Sequence, residues 1–285
     1  MKKAGILSMQ RIYNYGSFLQ AYALKKMLEE CGVEVEFVDY HPGKCILPSK
    51  EATGMKRKVQ KGLEILRMKG RLRDKVQFLK YKKNYAGKNY PVLGLEEKYN
   101  YTPKLDLLVI GSDEVFNCIQ DNSNVGFAPE LFGAGHQADR LVSYAASFGN
   151  TTLESLKKYQ VDEQVAQWLR AFDAISVRDE NSRKIVQELT GKDPVCHLDP
   201  VLVYDYPANL PETKAKIPHD PYMILYGYSG RFNKEEAGEI RKYAKRKGLK
   251  ILCIGGIQSC GDKFIDCSPF EIFGYFKYAE SVVTD

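Results

Sequence analysis

The chain has 285 residues, a net charge of +6 and 44% hydrophobic residues. A chain of this size buries a sizeable core without a disulfide or metal staple, and its length predicts about two domains. No apolar run reaches the ~20 residues of a membrane-spanning helix, and the run after Met1 is too short for a signal peptide. The seven cysteines are odd in number and form no Cys-x-x-Cys pair. These features predict a cytoplasmic protein with reduced thiols.

The first forty residues predict a β-α-β unit. A strand, a turn, a helix and a second strand are expected at residues 4–9, 14–17, 18–31 and 33–38. Ser17 and Gln20 have the spacing of a capping box at the helix start, and Gly32 stands where helices commonly end. We therefore expect two parallel strands joined by a right-handed crossover.

A basic segment follows. Residues 44–88 hold fifteen Lys or Arg and three Asp or Glu, a local excess of +12 that leaves the rest of the chain at −6. Its apolar residues recur at near-helical spacing, at Val59, Leu63, Leu66 and Met68. Two interpretations stay open: a basic amphipathic helix that contacts an anionic membrane surface or polymer, and a solvated helix whose Lys and Arg stems cover apolar surface. No nucleic-acid recognition motif accompanies the charge, so nucleic acid is not expected as a partner.

Strand-helix alternation then resumes. Strand-bearing segments lie at 105–117, 140–150, 174–178 and 195–203, with helices around Trp168 and at 179–191. After a Pro-rich stretch the pattern repeats, with strands at 222–228, 250–256 and 281–283 and helices near 233–247 and 269–279. We predict an α/β protein of two Rossmann-like, doubly wound domains. Residues 1–203 form the first domain with a basic helical excursion at 44–100, residues 204–221 a linker, and residues 222–285 a partial second domain.

Ligands of such sheets bind at the carboxyl ends of the strands. Those ends are predicted at Asn14–Ser17, Gly111–Asp113, Ser147–Asn150 and Arg178. A helix start beside Gly16 offers amides to an anion, although a plain turn and cap is the alternative. Asp113 is placed to bond hydroxyls, unless its loop is ordinary, and Arg178 to bind phosphate or carboxylate, unless it forms a structural ion pair. No Gly-x-Gly-x-x-Gly or Walker A motif occurs, so no cofactor or metal is predicted.

Five segments in this order resemble the polysaccharide pyruvyl transferase family: "NYGSFLQAYAL", "DLLVIGSDEVFN", "SYAASFG", "ISVRDENS" and "HLDPVLV". The resemblance extends from residue 4 to the end, and within 44–100 it is limited to helical, variable sequence. The family commonly has Gln and Trp where this chain has Glu114 and Phe116. Gly111, Ser112, Asp113 and Asn117 of the same motif are in place.

The resemblance implies a GT-B-like fold with the site in an interdomain cleft. It implies transfer of pyruvate from phosphoenolpyruvate to hydroxyls of a cell-surface glycan or a lipid-linked oligosaccharide, giving a ketal and phosphate. Cations and helix N-termini must hold that donor, and a general acid must protonate its C3. We take Arg178 and Asp113 as catalytic candidates, with Arg178 binding the donor and stabilising charge. The candidate substrate-binding residues are Asn14, Tyr15, Gly16, Ser17, Gly111, Ser112, Asn117, Ser147 and Arg178.

The general acid is not assigned, because His41, His136, His197 and His219 each occupy a setting where a lone histidine is more often structural. In this family a segment like "AESVVTD" (279–285) is followed by Ser-Phe-His-Gly, whose His belongs to the active site. We therefore expect an incomplete second domain and no transferase activity in this chain by itself. Two other functions stay open: a GT-B glycosyltransferase that uses a nucleotide-sugar, and a non-catalytic glycan-binding or scaffold protein.

Overall fold

The computed structural model describes residues 1–47, 72–210 and 215–284. These residues form two compact units. The first unit comprises 1–47 and 90–205, and the second comprises 72–89, 206–210 and 215–284. Each unit is built on its own parallel β-sheet flanked by helices.

The first unit opens with the predicted β-α-β arrangement. Strand β1 spans Lys3–Leu7, helix α1 Tyr15–Glu30 and strand β2 Glu34–Phe37. Strands β1 and β2 pair in parallel, as predicted, and the right-handedness of their connection stays a prediction. The capping-box prediction for Ser17 and Gln20 is wrong, because α1 begins earlier, at Tyr15. Its N-cap is Asn14, whose short side chain competes well for the first amides of a helix.

Helix α2 spans Leu72–Leu93 and lies within the predicted basic excursion at 44–100. Residues 72–89 group with the second unit rather than with the first domain, where we had predicted them. The reason is packing: Phe78 and Tyr81 are buried against Phe264, with ring centroids 5.3 and 5.6 Å away. The positions Val59, Leu63, Leu66 and Met68 lie outside the described residues.

Two long strands complete the main sheet of the first unit. Strand β3 spans Leu105–Gly111 and strand β4 Ala138–Tyr144, and the order β2-β1-β3-β4 is entirely parallel. Short strands β5, Ser176–Val177, and β6, Val195–Cys196, form a parallel pair that continues from β4 through single bridges. The segment 195–203 is thus mostly not a strand, because Pro200 starts a short helix instead.

The helices of this unit between β3 and residue 205 are short. They are a 3₁₀ turn at Pro129–Phe132, α3 at Leu153–Lys158, α4 at Asp162–Arg170, α5 at Glu180–Thr190 and α6 at Pro200–Val203. The core beneath them is aromatic: the buried Phe116 ring lies 5.0 to 5.9 Å from those of Phe132, Phe148 and Phe172. Phe116, where the family commonly has Trp, is fully buried. The substitution therefore changes packing in the core, and the Phe116 side chain anchors the loop after β3.

The second unit repeats the parallel α/β pattern. After a short helix α7, Tyr206–Asn209, its elements are β7 Tyr222–Tyr226, α8 Lys234–Lys247, β8 Lys250–Ile254, β9 Lys263–Phe264, α9 Glu271–Lys277 and β10 Ser281–Thr284. The sheet order is β10-β7-β8-β9, with all pairs parallel. The prediction of two Rossmann-like α/β sheets is confirmed. The short strand β9 was not predicted, since two residues carry no periodicity.

Candidate active site

Two carboxyl groups and a guanidinium meet at the carboxyl edge of the first unit's sheet. Asp113 follows β3, Arg178 follows β5, and Asp199 follows β6. Arg178 Nη1 donates to Asp199 Oδ2 at 2.5 Å, and Arg178 Nη2 lies 3.8 Å from Asp113 Oδ1. The carboxyl ends of parallel strands lie at one edge, so residues far apart in sequence converge there. We call these three residues the Arg178 cluster.

Serine hydroxyls orient both carboxylates. Ser17 Oγ, in the first turn of α1, donates to Asp113 Oδ2 at 2.7 Å. Ser112 Oγ lies 2.9 Å from Asp199 Oδ2, and the Val201 backbone N–H donates to Asp199 Oδ1 at 3.0 Å. The two carboxylates are therefore fixed in direction by neutral donors as well as by the guanidinium.

The Arg178 cluster has a formal charge of −1, because one guanidinium faces two carboxylates. All three side chains keep some solvent access, with 26% of Arg178, 20% of Asp113 and 18% of Asp199 exposed. A partly exposed carboxylate can accept the proton of a bound hydroxyl, and a guanidinium can bind a planar anion. Any anion that reaches Arg178 must share it with Asp199, and the negative cluster by itself does not attract a multiply charged donor.

The predicted anion site at the start of α1 is already engaged by protein. Asn14 Oδ1 accepts from the backbone N–H groups of Gly16 and Ser17, at 2.6 and 3.2 Å. Tyr15 is buried, whereas Gly16 is exposed. Ser17 reaches the Arg178 cluster. The substrate-binding roles of Asn14, Tyr15 and Gly16 stay predictions.

Asn117 and Ser147 are buried and bond to neighbouring loops. Asn117 Oδ1 accepts from Thr151 Oγ1 at 2.9 Å, and Asn117 Nδ2 donates to Glu114 Oε2 at 2.9 Å. Ser147 Oγ donates to Asp179 Oδ2 at 2.6 Å. These bonds hold the loops that carry Asp113 and Arg178. Asn117 and Ser147 therefore support the Arg178 cluster through neighbouring loops. Direct contact with a substrate stays a prediction.

Three residues near this edge were not predicted. Asp199 follows a two-residue strand and precedes Pro200, and its signal in the sequence was its place in the segment "HLDPVLV". Burial raises the pKa of Tyr40, and the nearby Asp113 charge raises it further. Burial likewise raises the pKa of Tyr144, with a smaller effect from Asp199. Both phenols therefore stay protonated at neutral pH and can donate a hydrogen bond.

Of the four histidines, His197 contacts a residue of this region. Its Nδ1 lies 2.7 Å from Ser176 Oγ, and its ring stacks on Tyr144 with centroids 5.2 Å apart. His41 instead pairs with Glu130 at 2.9 Å. That each histidine is structural stays a prediction.

Two kinds of feature are absent from the described part of the chain. No group of three or more His, Cys, Asp or Glu is arranged to hold a metal ion. None of the helices there is both long and apolar enough to cross a membrane.

The sequence model of the polysaccharide pyruvyl transferase family matches residues 14–285. The chain belongs to this family. The match includes every segment on which the resemblance was based, and it places the chain among transferases. A search of the curated proteins found no match to this chain.

Several solved structures are similar to this family member over its whole length. They include MnaA of S. aureus in a co-structure with UDP (13% identity, TM-score 0.47, 100% of this chain and 74% of that chain). Others are a UDP-GlcNAc 2-epimerase from Methanocaldococcus jannaschii (9%, 0.40, 100% and 79%) and MurG from Acinetobacter baumannii (12%, 0.29, 100% and 65%).

Proposed function

We propose that this protein transfers pyruvate from phosphoenolpyruvate to sugar hydroxyls of a cell-surface glycan or its lipid-linked precursor. The family match over residues 14–285 carries this proposal. The Arg178 cluster supports it, because acid-base groups and a guanidinium lie together at the edge where parallel α/β sheets bind ligands. A cytoplasmic location is part of the proposal and is supported by seven free cysteines.

The reaction needs two sugar hydroxyls. The first adds to C2 of phosphoenolpyruvate while C3 gains a proton, which leaves a tetrahedral C2 that still carries phosphate. The second hydroxyl displaces the phosphate, and a cyclic ketal forms. One hydroxyl proton is balanced by protonation of C3, and the other leaves with phosphate or solvent. The site must therefore accept protons from hydroxyls and donate one to carbon.

We assign these roles to residues at the carboxyl edge of the first unit. Asp113 accepts a hydroxyl proton, since Ser17 already orients its carboxylate. Arg178 binds the donor's carboxylate or phosphate and stabilises developing negative charge. Protonated Tyr40 and Tyr144 are candidate hydrogen-bond donors. The −1 charge of the Arg178 cluster means that further cations must neutralise the donor.

The test is to incubate the purified full-length protein with phosphoenolpyruvate and a panel of bacterial cell-surface oligosaccharides. Phosphate release that depends on the oligosaccharide, with a product carrying a pyruvate ketal by mass spectrometry, is the expected result. Reactions without phosphoenolpyruvate or without oligosaccharide are the controls. Binding of a nucleotide-sugar, with neither phosphate release nor ketal, would indicate a glycosyltransferase instead. Oligosaccharide binding with no turnover of either donor would indicate a binding protein.

The GT-B-like arrangement of the two units and an anionic membrane contact are also part of the proposal. The segment 44–88 supports the membrane contact through its charge excess of +12. Neutralising Lys56, Arg57, Lys58 and Lys61, which lie outside the described residues, should weaken binding to vesicles that contain anionic lipid, most strongly at low salt. The matched control neutralises four basic residues of α8: Arg241, Lys245, Arg246 and Lys247. Equal binding by both variants would contradict the membrane contact.

A further inference from the structure

Three aromatic rings of the first unit form a stacked row on its surface. The rings of Tyr99 and Tyr101 are nearly parallel, at 11°, with centroids 5.7 Å apart. The His41 ring stacks on Tyr101 at 3.9 Å and 12°. The Arg11 guanidinium lies over the Tyr99 ring, 4.3 Å from its centroid. We call Tyr99, Tyr101 and His41 the aromatic row.

The aromatic row is well exposed although its members contact one another. Tyr99 is 50% exposed, Tyr101 36%, and the His41 side chain 65%. Their mutual stacking and the hydrogen bond from His41 to Glu130 limit their rotamers, so a ligand would lose little side-chain entropy on binding. Rigid, exposed aromatic groups with hydroxyl tips present both an apolar face and hydrogen-bonding groups.

The cation beside the aromatic row is compensated by a carboxylate. Arg11 forms a two-point ion pair with the buried Asp39, at 2.6 and 2.9 Å, and His41 faces the carboxylate of Glu130. Surfaces that bind single-stranded nucleic acid combine aromatic stacking with an uncompensated positive groove. The aromatic row has the stacking without that excess charge. Its chemistry therefore fits an uncharged, hydroxyl-rich ligand with C–H faces, which describes the rings of a sugar chain.

The aromatic row lies at the same edge of the sheet as the Arg178 cluster. Arg11 follows β1 and stacks on Tyr99, and its ion-pair partner Asp39 follows β2. Asp113 follows β3, and the carboxyl ends of parallel strands lie at one edge of a sheet. The row and the proposed proton acceptor are therefore on the same edge of the first unit.

We infer that the aromatic row is the binding surface for sugar rings of the acceptor glycan beyond the residue that receives pyruvate. This inference rests on the proposed function for the identity of the ligand. His41 covers one face of Tyr101 and the Arg11 guanidinium one face of Tyr99, so the C–H face of a pyranose would pack against the solvent-exposed remainder of these electron-rich rings. The phenol hydroxyls, Glu130 and His41 supply hydrogen-bond partners for the sugar hydroxyls.

The experiment uses a printed array of bacterial cell-surface oligosaccharides, followed by calorimetric titration of the best-bound one. The variants are Tyr99→Ala and Tyr101→Ala, with Tyr99→Phe as the conservative change. The matched control is Tyr278→Ala, since Tyr278 is 59% exposed and lies in the second unit. All titrations are made without phosphoenolpyruvate, and sedimentation velocity and thermal unfolding are recorded for each variant.

We expect each alanine variant of the aromatic row to weaken binding at least about tenfold, as loss of a central aromatic contact typically does. Tyr99→Phe keeps the aromatic ring, and Tyr278 lies in the second unit. Both variants should therefore bind the oligosaccharide within about threefold of the unchanged protein. Unchanged affinity of folded Tyr99→Ala and Tyr101→Ala would overturn the inference. The inference would also be overturned if no oligosaccharide on the array bound the protein. The same holds if the alanine variants changed the oligomeric state of the protein and left glycan binding unchanged.

The same data separate this inference from the proposed function. Glycan binding that depends on the aromatic row, without turnover of phosphoenolpyruvate, would contradict the proposed function and leave the row as a glycan site. If phosphoenolpyruvate is turned over but glycan binding does not depend on the aromatic row, the inference about the row is contradicted and the proposed function stands.

Discussion

The carboxyl edges of the two sheets are built from different kinds of residue. In the first unit the edge carries the side chains of Asp113, Arg178 and Asp199. In the second unit, residues 227–230 after β7 and 255–261 after β8 contain no charged side chain and are rich in glycine. There the two loops bond to each other, with the Ile257 N–H donating to Ser229 Oγ at 2.8 Å.

This difference separates two kinds of chemistry. Proton transfer needs titratable side chains, which the edge of the first unit supplies. Close backbone approach needs glycine, which both edges supply: a Cβ at Gly111 of the first edge would lie 2.3 Å from Tyr144 O. A Cβ at Gly256 would lie 2.3 Å from Ser229 N and 2.5 Å from Tyr228 C, so only glycine fits between the loops. Variants at the first edge should therefore change catalysis, whereas variants at the second should change stability.

The largest expected effect is on catalysis at the first edge. Asp113→Asn removes the proposed proton acceptor while keeping its shape and its contact with Ser17. Arg178→Lys keeps the charge but loses the planar guanidinium. Asp113→Asn should lower kcat/KM for phosphoenolpyruvate-dependent ketal formation by about 10²–10⁴-fold, the usual contribution of general acid-base catalysis. Arg178→Lys should lower it by about 10²–10³-fold, the usual effect of losing one group that stabilises transition-state charge. Phosphate release under steady-state conditions measures this.

The matched control is Arg183→Lys. Arg183 lies in α5, close in sequence to Arg178, and its two-point ion pair with Asp193 is at the surface. This variant should keep its activity, because exposed ion pairs contribute little. Equal activity in Arg178→Lys and Arg183→Lys would remove Arg178 from the proposed mechanism.

Periodicity predicted most of the fold but not its short elements. Strand β3 is a continuous apolar run, and its position was predicted from that run. Strands β5, β6 and β9 have two residues each, which is too few to show a period, so their bounds depend on tertiary pairing. The grouping of residues 72–89 with the second unit also depends on tertiary contacts, namely Phe78 and Tyr81 on Phe264.

The candidate site was predicted only where a strand end was visible in the sequence. Asp113 and Arg178 follow predicted strands, and the structure brings them to one cluster. Asp199 was missed because a strand was predicted over 195–203, whereas the strand ends at Cys196 and leaves Asp199 in the loop after it. The engagement of Gly16 by Asn14 was missed because Ser17 offered a competing cap. Likewise, Asn117 and Ser147 match family motifs, but the sequence does not show that their side chains are buried.

A smaller effect, on stability, is expected at the second edge. Gly256→Ala forces Ser229 and Tyr228 apart and should lower the free energy of unfolding by about 3 kcal/mol, at the upper end of typical overpacking costs. The control is Gly238→Ala in α8, where a Cβ meets nothing within 4 Å. That variant should gain roughly 0.5–1 kcal/mol from helix propensity. Urea denaturation measures both, and a stable Gly256→Ala would contradict the proposed close approach of the two loops.

The smallest effect compares the two N-caps. Asn14 caps α1 in the first unit and Asn233 caps α8 in the second, and each side-chain oxygen accepts from two backbone amides. Replacing either with Ala should lower the free energy of unfolding by about 1 kcal/mol. Only Asn14→Ala should also lower kcat/KM, because the Ser17 that it holds is the residue that orients Asp113. Equal loss of activity in Asn233→Ala would contradict the claim that catalysis depends on the edge of the first unit and not on that of the second. Urea denaturation and steady-state phosphate release on the same two variants measure both quantities.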